Sequence, residues 1–508
     1  MISIQLTQKP FWQNDVEGYI FLVKEGIIPL ASKKDFDVLE NDYYFNLKDI
    51  LNKHKFTGKK GETFALTTSR DGNLLQFIFV GVGKLDLAWN YELENLRRAI
   101  GSTILKLKEL EIKDAVIAMP EDEKPFGLVQ DKILRQLVTI AIMADYEFVK
   151  FKSDKKDKES WAGKFLICTE NNELNQVAVK EGKILGDATN LTRGFADLPA
   201  NHLTPKSLAQ DAKAIADKHG LKFEAFGRSR AQELGMGGFC AVDAGSDEEG
   251  QFVILEYNAK KDVPTIALVG KGVTFDSGGI SLKPSASMEG MKFDMSGAAA
   301  VIGAMEAIAQ LKPNVNVVAL APLVENMPSG KACKQDDIIT FLNGKTAEIK
   351  NTDAEGRLIL ADALAYAEKF YNPEVIIDIA TLTGACLYAL GHFFTAIMTK
   401  NDDIGARLQA IGLVTGDRVW PLPLDDDFRD AIKSDVADIA NTGAVNYKAG
   451  TITAGWFLKN FVEKAKYAHL DIAGTADGVP GISYIGKGAS GAGVRLLTEF
   501  VLNYNKNK

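Results

Sequence analysis

Two short segments of the sequence carry side chains that could bind metal ions together. They are residues 270–297, GKGVTFDSGGISLKPSASMEGMKFDMSG, and residues 351–358, NTDAEGRL. Four of their carboxylates are candidate ligands: Asp276, Asp294, Asp353 and Glu355. Four carboxylates that meet in one place would repel one another unless a cation lies among them. The pattern therefore predicts a site for divalent metal ions. Three cations of the same segments are also candidates for chemistry: Lys271, Lys283 and Arg357.

The scarcity of histidine narrows the type of metal site. The chain has five histidines and no HExxH motif, which argues against a histidine-based zinc site. A carboxylate-rich site suits Mn²⁺, Mg²⁺ or Zn²⁺, and the sequence does not choose among them. Simpler roles stay open for single acids. Asp276, which precedes Ser-Gly-Gly, could belong to a turn, and Asp294 could cap the helix that follows it.

The glycines of residues 270–297 also resemble those of phosphate-binding loops. A P-loop requires GxxxxGK[ST], but Thr265 occupies the first glycine position and Gly272 follows the lysine. A dinucleotide-binding loop requires GxGxxG, and Phe275 occupies the third glycine position. These mismatches argue against a nucleotide site. The glycines more simply permit tight turns and close backbone approach.

Alternating strand and helix patterns predict the elements that position these side chains. We expect strands at residues 265–269, 315–324, 375–380 and 470–473, and helices at residues 291–311, 357–370, 451–467 and 491–504. Continuous apolar strands that alternate with helices indicate an α/β fold, with a mostly parallel central sheet covered by helices on both faces. In such folds sites lie at the carboxyl ends of strands.

Residues 351–358 follow a strand-like run at residues 347–350. Asp353 and Glu355 are two positions apart, and in an extended chain such residues point the same way. We therefore expect both carboxylates to face one cleft, with Arg357 continuing the alternation.

The chain divides best near residues 150–190. Residues 150–159, KFKSDKKDKE, form a mixed charge run that is typical of a solvated loop or helix face. The preceding part alternates strand-like and helical segments and contains no catalytic constellation. We predict a smaller N-terminal α/β domain at residues 1–170, a connecting helix at residues 171–192 and a larger C-terminal α/β/α catalytic domain at residues 193–508.

Composition excludes several classes of protein. The net charge of -8 argues against a protein that neutralises nucleic-acid phosphates. The four cysteines form no CxxC motif, which favours free thiols in a reducing compartment. The N-terminus lacks the pattern of a secretory signal, and the longest apolar-rich stretch, residues 298–311, is too short to span a bilayer. We therefore expect a cytoplasmic protein without a membrane segment.

Both segments resemble hallmarks of the leucyl aminopeptidase (cytosol aminopeptidase) family. Residues 351–358 reproduce its signature octapeptide, NTDAEGRL, and GKGVTFDSGGISLKP matches its second hallmark. Further similarity lies at residues 196–205, 379–385, 432–441 and 491–497. The resemblance covers most of residues 190–508. The α/β pattern of residues 1–170 is compatible with the family's variable, macro-like N-terminal domain.

The resemblance implies two metal ions per subunit, Mn²⁺ or Zn²⁺. Lys271, Asp276, Asp294 and Glu355 would hold one ion, and Asp276, Asp353 and Glu355 would hold the other. Only the neutral amine of Lys271 can coordinate a metal, and burial beside a dication would depress its pKa enough to allow this. Lys283 and Arg357 match the two catalytic positions.

The resemblance also implies the reaction, the release of N-terminal amino acids from peptides by a metal-bridged hydroxide. Lys283 would polarise the scissile carbonyl. Arg357, which cannot act as a base, would hold a bicarbonate that carries the proton. Four residues correspond to the substrate pocket and favour leucine-like or methionine-like side chains: Met291, Thr381, Leu382 and Gly384. Relatives assemble as hexamers, so we expect a homohexamer here.

Two alternatives stay open. The same carboxylates could serve a metal-dependent phosphatase, although the absence of a phosphate loop argues against it. A role in DNA binding would rest on the scattered lysines of residues 23–60, which are more simply solvated surface charge.

Overall fold

The computed structural model of the chain describes residues 2–30, 38, 47–70, 72–85, 91–120, 128–153 and 163–505. These residues form two units. The N-terminal unit comprises Met1–Asn190 with Gly481–Gly486, and the C-terminal unit comprises Leu191–Pro480 with Lys487–Lys508. Most of the charge run at residues 150–159 lies outside the described residues.

The N-terminal unit is built on one seven-stranded sheet. Its strands are β1 (Ser3–Thr7), β2 (Gly18–Lys24), β3 (Ile28–Pro29), β4 (Thr63–Arg70), β5 (Asn73–Gly83), β6 (Asp114–Ala118) and β7 (Lys164–Cys168). The strand order is β1-β7-β6-β2-β5-β4, and β3 pairs with β2. Neighbouring strands are parallel, except that β4 is antiparallel to β5 and β3 is antiparallel to β2.

The C-terminal unit contains a nine-stranded sheet and a three-stranded sheet. The strands of the larger sheet are β8 (Lys222–Phe226), β9 (Gln251–Tyr257), β10 (Thr265–Gly270), β11 (Gly272–Asp276), β12 (Asn316–Asn326), β15 (Val375–Ala380), β16 (Thr395–Thr399), β17 (Val419–Pro421) and β19 (Lys466–Asp471). Their order is β17-β16-β19-β15-β10-β12-β9-β8, with β11 paired to β12. The smaller sheet joins β13 (Ile338–Thr340), β14 (Thr346–Glu348) and β18 (Ile439–Ala440).

The described α-helices are α1 (Leu47–Lys53), α2 (Tyr91–Glu109), α3 (Gln130–Asp145), α4 (Glu173–Asp197), α5 (Pro205–His219), α6 (Arg228–Leu234), α7 (Gly237–Asp243), α8 (Ser285–Met288), α9 (Ser296–Leu311), α10 (Gly356–Tyr371), α11 (Gly384–Leu390), α12 (Asp402–Thr415), α13 (Gly450–Lys459) and α14 (Val494–Asn503). The 3₁₀ helices given for the described residues include Phe11–Gln13, Met291–Met295 and Asp426–Ile432.

The central strands β12, β10, β15 and β19 run parallel to one another. They read as continuous apolar runs because helices cover them, and every residue of β15 is buried. The alanine-rich α9 and the helix α10 both pack on β10, β12 and β15. The predicted α/β class with a mostly parallel central sheet is therefore confirmed.

The helix predicted at residues 451–467 is wrong in its second half. α13 ends at Lys459, and β19 occupies residues 466–471. The reason is a long-range contact, because the Glu368 carboxylate accepts hydrogen bonds of 2.7–2.9 Å from the backbone amides of residues 463–465. These amides are therefore unavailable to a helix.

Two other predicted helices change their limits. The segment at residues 291–311 divides into a 3₁₀ helix and α9, because Met295 between them has φ -102° and ψ 8°. The closing helix begins at Val494 rather than at residue 491, because Gly491 and Gly493 have φ values of 71° and 91°. Such values lie outside the helical region.

The cysteines and the helices can be compared with the expectations of free thiols and of no membrane segment. The four cysteines, Cys168, Cys240, Cys333 and Cys386, are all free. In the part of the chain that the structure describes, no helix has both the length and the apolar character that a membrane crossing requires.

Candidate metal centre

The two segments meet at the carboxyl ends of the central strands. Lys271 follows β10, and its backbone N–H donates to Ile379 O in β15 at 3.0 Å. Asp276 ends β11 and pairs with Asn326, the last residue of β12. Asp294 lies in the 3₁₀ helix before α9. The parallel sheet thus brings side chains that are distant in sequence to one edge.

Three carboxylates converge at this edge. Asp276, Asp353 and Glu355 each offer one oxygen, and these atoms lie within 4.8 Å of one another. The extended conformation predicted for this segment is wrong, because Asn351 Oδ1 accepts the Asp353 N–H at 2.9 Å and Glu355 has helical angles of φ -84° and ψ -35°. A turn therefore brings the two acids together, and Arg357 lies in the first turn of α10.

Lys271 joins Asp294 to this cluster. Its buried Nζ lies 2.7 Å from Asp294 Oδ1 and 3.0 Å from Glu355 Oε1, and it donates to Thr381 O at 2.9 Å. Burial lowers the pKa of Lys271, but the carboxylates of Asp294, Glu355 and Asp276 together outweigh burial and raise it above its ordinary value. A β-carbon on Gly356 would lie 2.4 Å from Lys271 Cε, so this glycine of the octapeptide makes room for the lysine.

Lys283 contributes a second ammonium group. Its Nζ lies 2.8 Å from Asp276 Oδ2 and also contacts Asp353 Oδ1. Burial lowers the pKa of Lys283, yet these carboxylates outweigh burial and raise it. Lys283 therefore carries a positive charge beside two of the three clustered acids.

The four acids carry more negative charge than the two lysines balance. Burial raises the pKa of Asp294 well above its ordinary value, and burial with the nearby Asp276 raises that of Glu355. Within the described part of the chain, Asp294 Oδ2 and Glu355 Oε1 are buried without a hydrogen bond, although Glu355 Oε1 is ion-paired with Lys271. Carboxylate oxygens in this state suit a divalent cation, so the residues present fit a metal site.

Arg357 and Lys283, the two predicted catalytic residues, have different surroundings. Arg357 is buried, and its Nη1 donates to Asn441 O at 2.7 Å, whereas its Nε has no hydrogen-bond partner among the residues that the structure describes. Burial lowers the pKa of Arg357 to about 10. Lys283 lines the cavity beside the cluster, whereas Arg357 is not among the lining residues.

A cavity of about 500 Å³ opens beside the cluster. All four predicted pocket residues line it: Met291, Thr381, Leu382 and Gly384. Thr381 also supports the cluster, since its Oγ1 donates to Asp294 Oδ1 at 2.7 Å. A larger cavity of about 990 Å³ lies in the N-terminal unit, but no three of its described acids come close enough to share an ion.

Sequence reasoning missed two amides that hold the acids in place. Asn326 Nδ2 donates to Asp276 Oδ1 at 2.8 Å and to Thr352 O at 3.1 Å, so it joins the two segments. Asn441 Nδ2 donates to Asn351 O at 2.7 Å. The available signal was position, because Asn326 is the last residue of β12 and Asn441 directly follows β18.

Asp471, at the end of β19, was also missed. Its Oδ2 accepts the Thr383 hydroxyl at 2.6 Å, and its Oδ1 accepts the Leu382 N–H at 3.2 Å. Asp471 is buried and so fixes the loop that forms one wall of the cavity.

Comparison with protein families matches both parts of the chain. The description "Cytosol aminopeptidase family, catalytic domain" fits residues 190–498, and "Cytosol aminopeptidase family, N-terminal domain" fits residues 28–155.

Individual relatives cover almost the whole chain. A probable cytosol aminopeptidase of Alkaliphilus oremlandii is 39% identical over 464 residues, which is 91% of each chain. One of Burkholderia pseudomallei is 42% identical over 451 residues, or 88% of this chain and 87% of the other. Among solved structures, the bottromycin maturation enzyme BotP has a TM-score of 0.83 and 30% identity, and covers 97% of this chain and 100% of its own.

Proposed function

The chain belongs to the cytosol aminopeptidase family and is a hydrolase of the aminopeptidase type. From this premise we propose that the protein is a metal-dependent exopeptidase that prefers leucine-like N-terminal residues. One observation carries the proposal. Asp276, Asp353 and Glu355 converge within 4.8 Å beside a cavity lined by Met291 and Gly384.

Two divalent ions, Mn²⁺ or Zn²⁺, would be held by Lys271, Asp276, Asp294, Asp353 and Glu355. When bound, such ions would acidify a water molecule and polarise the scissile carbonyl. Lys271 would join the ligands only as a neutral amine. Its ammonium group pairs with Asp294 and Glu355 in the structure, so metal binding would have to displace a proton.

Lys283 would bind the carbonyl group of the substrate. It lines the cavity, and its contacts with Asp276 and Asp353 keep the amine protonated at neutral pH. A fixed ammonium group can stabilise the negative charge that develops on the carbonyl oxygen during attack.

The bicarbonate expected at Arg357 finds less support. Nε of Arg357 is a buried donor without a partner, which suits an anion. Arg357 does not line the cavity, however, so we derive no proton transfer through it. Its structural role is to tie α10 to Asn441.

The cavity walls support a preference for leucine-like side chains. Met291, Phe293 and Leu387 provide apolar surface, and Gly384 leaves room between them. An apolar side chain that enters this space gains roughly 25 cal/mol for each Å² removed from water.

From the family resemblance we also propose that the protein is a cytoplasmic homohexamer that acts on peptides rather than nucleic acid. Its domains would lie at residues 1–170 and 193–508, joined by a helix at residues 171–192. Exposed apolar side chains support an assembly, since Tyr388, Val436 and Val445 are 96%, 68% and 87% exposed. Light scattering after size-exclusion chromatography tests this, and a monomer would contradict it.

Hydrolysis of leucine p-nitroanilide with and without a chelator tests the central proposal. We expect activity to disappear on exhaustive chelation and to return with Mn²⁺ or Zn²⁺. A phosphomonoester should not be cleaved under any of these conditions. Unchanged turnover after chelation would rule out metal dependence.

A further inference from the structure

The cavity contains a fourth carboxylate that the proposed reaction does not use. Asp477 lines the cavity together with Asp276, Asp294 and Asp353. It lies six residues beyond the end of β19, and an isolated antiparallel bridge to Ala489 fixes its backbone. Its place in the wall is therefore set by the fold.

The Asp477 carboxylate has no partner of its own. Across the described ranges of the chain, no side chain or backbone group forms a hydrogen bond or an ion pair with it. Two basic side chains that act on Asp477 are hydrogen-bonded elsewhere. Lys292 Nζ donates to Asp197 O at 2.6 Å, and His392 Nδ1 lies 2.9 Å from Gly474 O.

A half-buried, unpaired carboxylate is costly for the free protein. Burial raises the pKa of Asp477 above its ordinary value, and Asp197 adds to the effect while His392 and Lys292 oppose it. A cation brought by a ligand would remove this cost, because it would supply the missing partner at a partly desolvated position.

The remaining walls indicate which cation fits. Met291, Phe293 and Leu387 line the same cavity and present apolar surface. Lysine and arginine side chains combine an apolar stem with a terminal cation, so they can contact both kinds of wall at once.

We propose that Asp477 is a specificity-determining residue that lets the cavity accept lysine or arginine as the N-terminal residue of a peptide, in addition to leucine-like residues. The inference rests on the proposed function, in that the cavity must hold the N-terminal side chain. It assigns the carboxylate to recognition and leaves the metal ligands as they are.

Aminoacyl-7-amido-4-methylcoumarins test the inference, because they carry no second residue and report on the first side chain alone. The substrates are the lysine, arginine, norleucine and leucine derivatives. Norleucine resembles the lysine stem without its ammonium group. The readout is the ratio of kcat/KM for lysine to kcat/KM for norleucine.

The Asp477→Asn variant should lower this ratio about tenfold or more, since hydrogen bonds to charged groups contribute on that scale. Asp477→Glu should retain most of the ratio. The matched control is Glu289→Gln, which removes an equal negative charge. Glu289 is exposed and does not line the cavity, although its neighbour Gly290 does. It should leave the ratio unchanged.

Three results would overturn the inference. The wild-type protein could cleave the leucine substrate but neither basic one. Asp477→Asn could lower kcat/KM for all four substrates equally, which would indicate that Asp477 recognises the α-amine or that the variant loses structure. Glu289→Gln could lower the ratio as much as Asp477→Asn, which would indicate long-range electrostatics. Failure of the proposed function would look different, because the wild-type protein would then cleave no substrate, leucine included.

Discussion

Two of the groups of ionisable side chains in the C-terminal unit differ in what they leave unsatisfied. One is the cluster of Asp276, Asp294, Asp353 and Glu355 with Lys271 and Lys283. The other is Asp378 with two partners on the neighbouring strand β19. Tyr467 Oη donates to Asp378 Oδ2 at 2.6 Å, and His469 Nδ1 lies 2.6 Å from Asp378 Oδ1.

In the second group both oxygens of the single carboxylate have partners, and none of the three residues lines the cavity. In the first group carboxylates outnumber ammonium groups, and Asp294 Oδ2 has no partner. Buried charge alone therefore does not mark a functional site. A better indication is a set of carboxylate oxygens that lack hydrogen-bond partners and lie beside an open cavity.

The largest effect should follow from removing a carboxylate of the first group. Glu355→Ala should lower kcat/KM roughly 10³-fold or more, because a metal contributes several kcal/mol to transition-state stabilisation. The melting temperature in chelator should stay equal or rise, since burial and Asp276 already disfavour the charged form of Glu355. Substantial activity, or a clear loss of stability without metal, would contradict the contrast between the two groups.

Removing an ammonium group from the first group should have the next largest effect. Lys283→Met should lower kcat about 10²–10³-fold, the usual cost of losing one group that stabilises an oxyanion. Lys283→Arg, which keeps the charge, is the matched control and should retain more activity. Metal content should be measured in both variants, because a loss of metal in Lys283→Met would indicate a structural role instead.

Removing the carboxylate of the second group should reverse this pattern. Asp378→Ala leaves His469 and Tyr467 buried without their partner, and breaking a buried pair costs about 3–5 kcal/mol of unfolding free energy. Urea denaturation measures this loss. The kcat/KM of the folded variant should stay close to the wild-type value, and a loss as large as that of Glu355→Ala would place Asp378 in the active site.

Much of the first group could be predicted from sequence. Its candidate ligands fall in two short segments. One follows the apolar, β-branched run at residues 265–269, and the other follows the strand-like run at residues 347–350. The two-residue alternation of Asp353 and Glu355 was the wrong reason for a correct grouping. A turn held by the Asn351 side chain brings them together, and local periodicity does not reveal such a turn.

The second group could not be predicted in this way. Asp378 and His469 are 91 residues apart, and neither belongs to a local motif of ionisable residues that points to the other. Only the pairing of β15 with β19 sets them opposite each other. Asn326 and Asn441 were missed for the same reason, since their partners belong to other segments of the chain.

The smallest effect should be the pH dependence contributed by His469. Burial lowers the pKa of His469, but Asp378, with help from Asp471, outweighs burial and raises it. The folded protein thus holds this proton more tightly than the unfolded chain does. The resulting stability is fully present below the unfolded pKa of about 6.5 and is lost as pH rises through the folded pKa. The difference in unfolding free energy between wild type and His469→Gln should therefore shrink with rising pH in urea titrations. A difference that grows instead would show that the fold prefers neutral His469, and the second group would then be a hydrogen-bonded network without an ion pair.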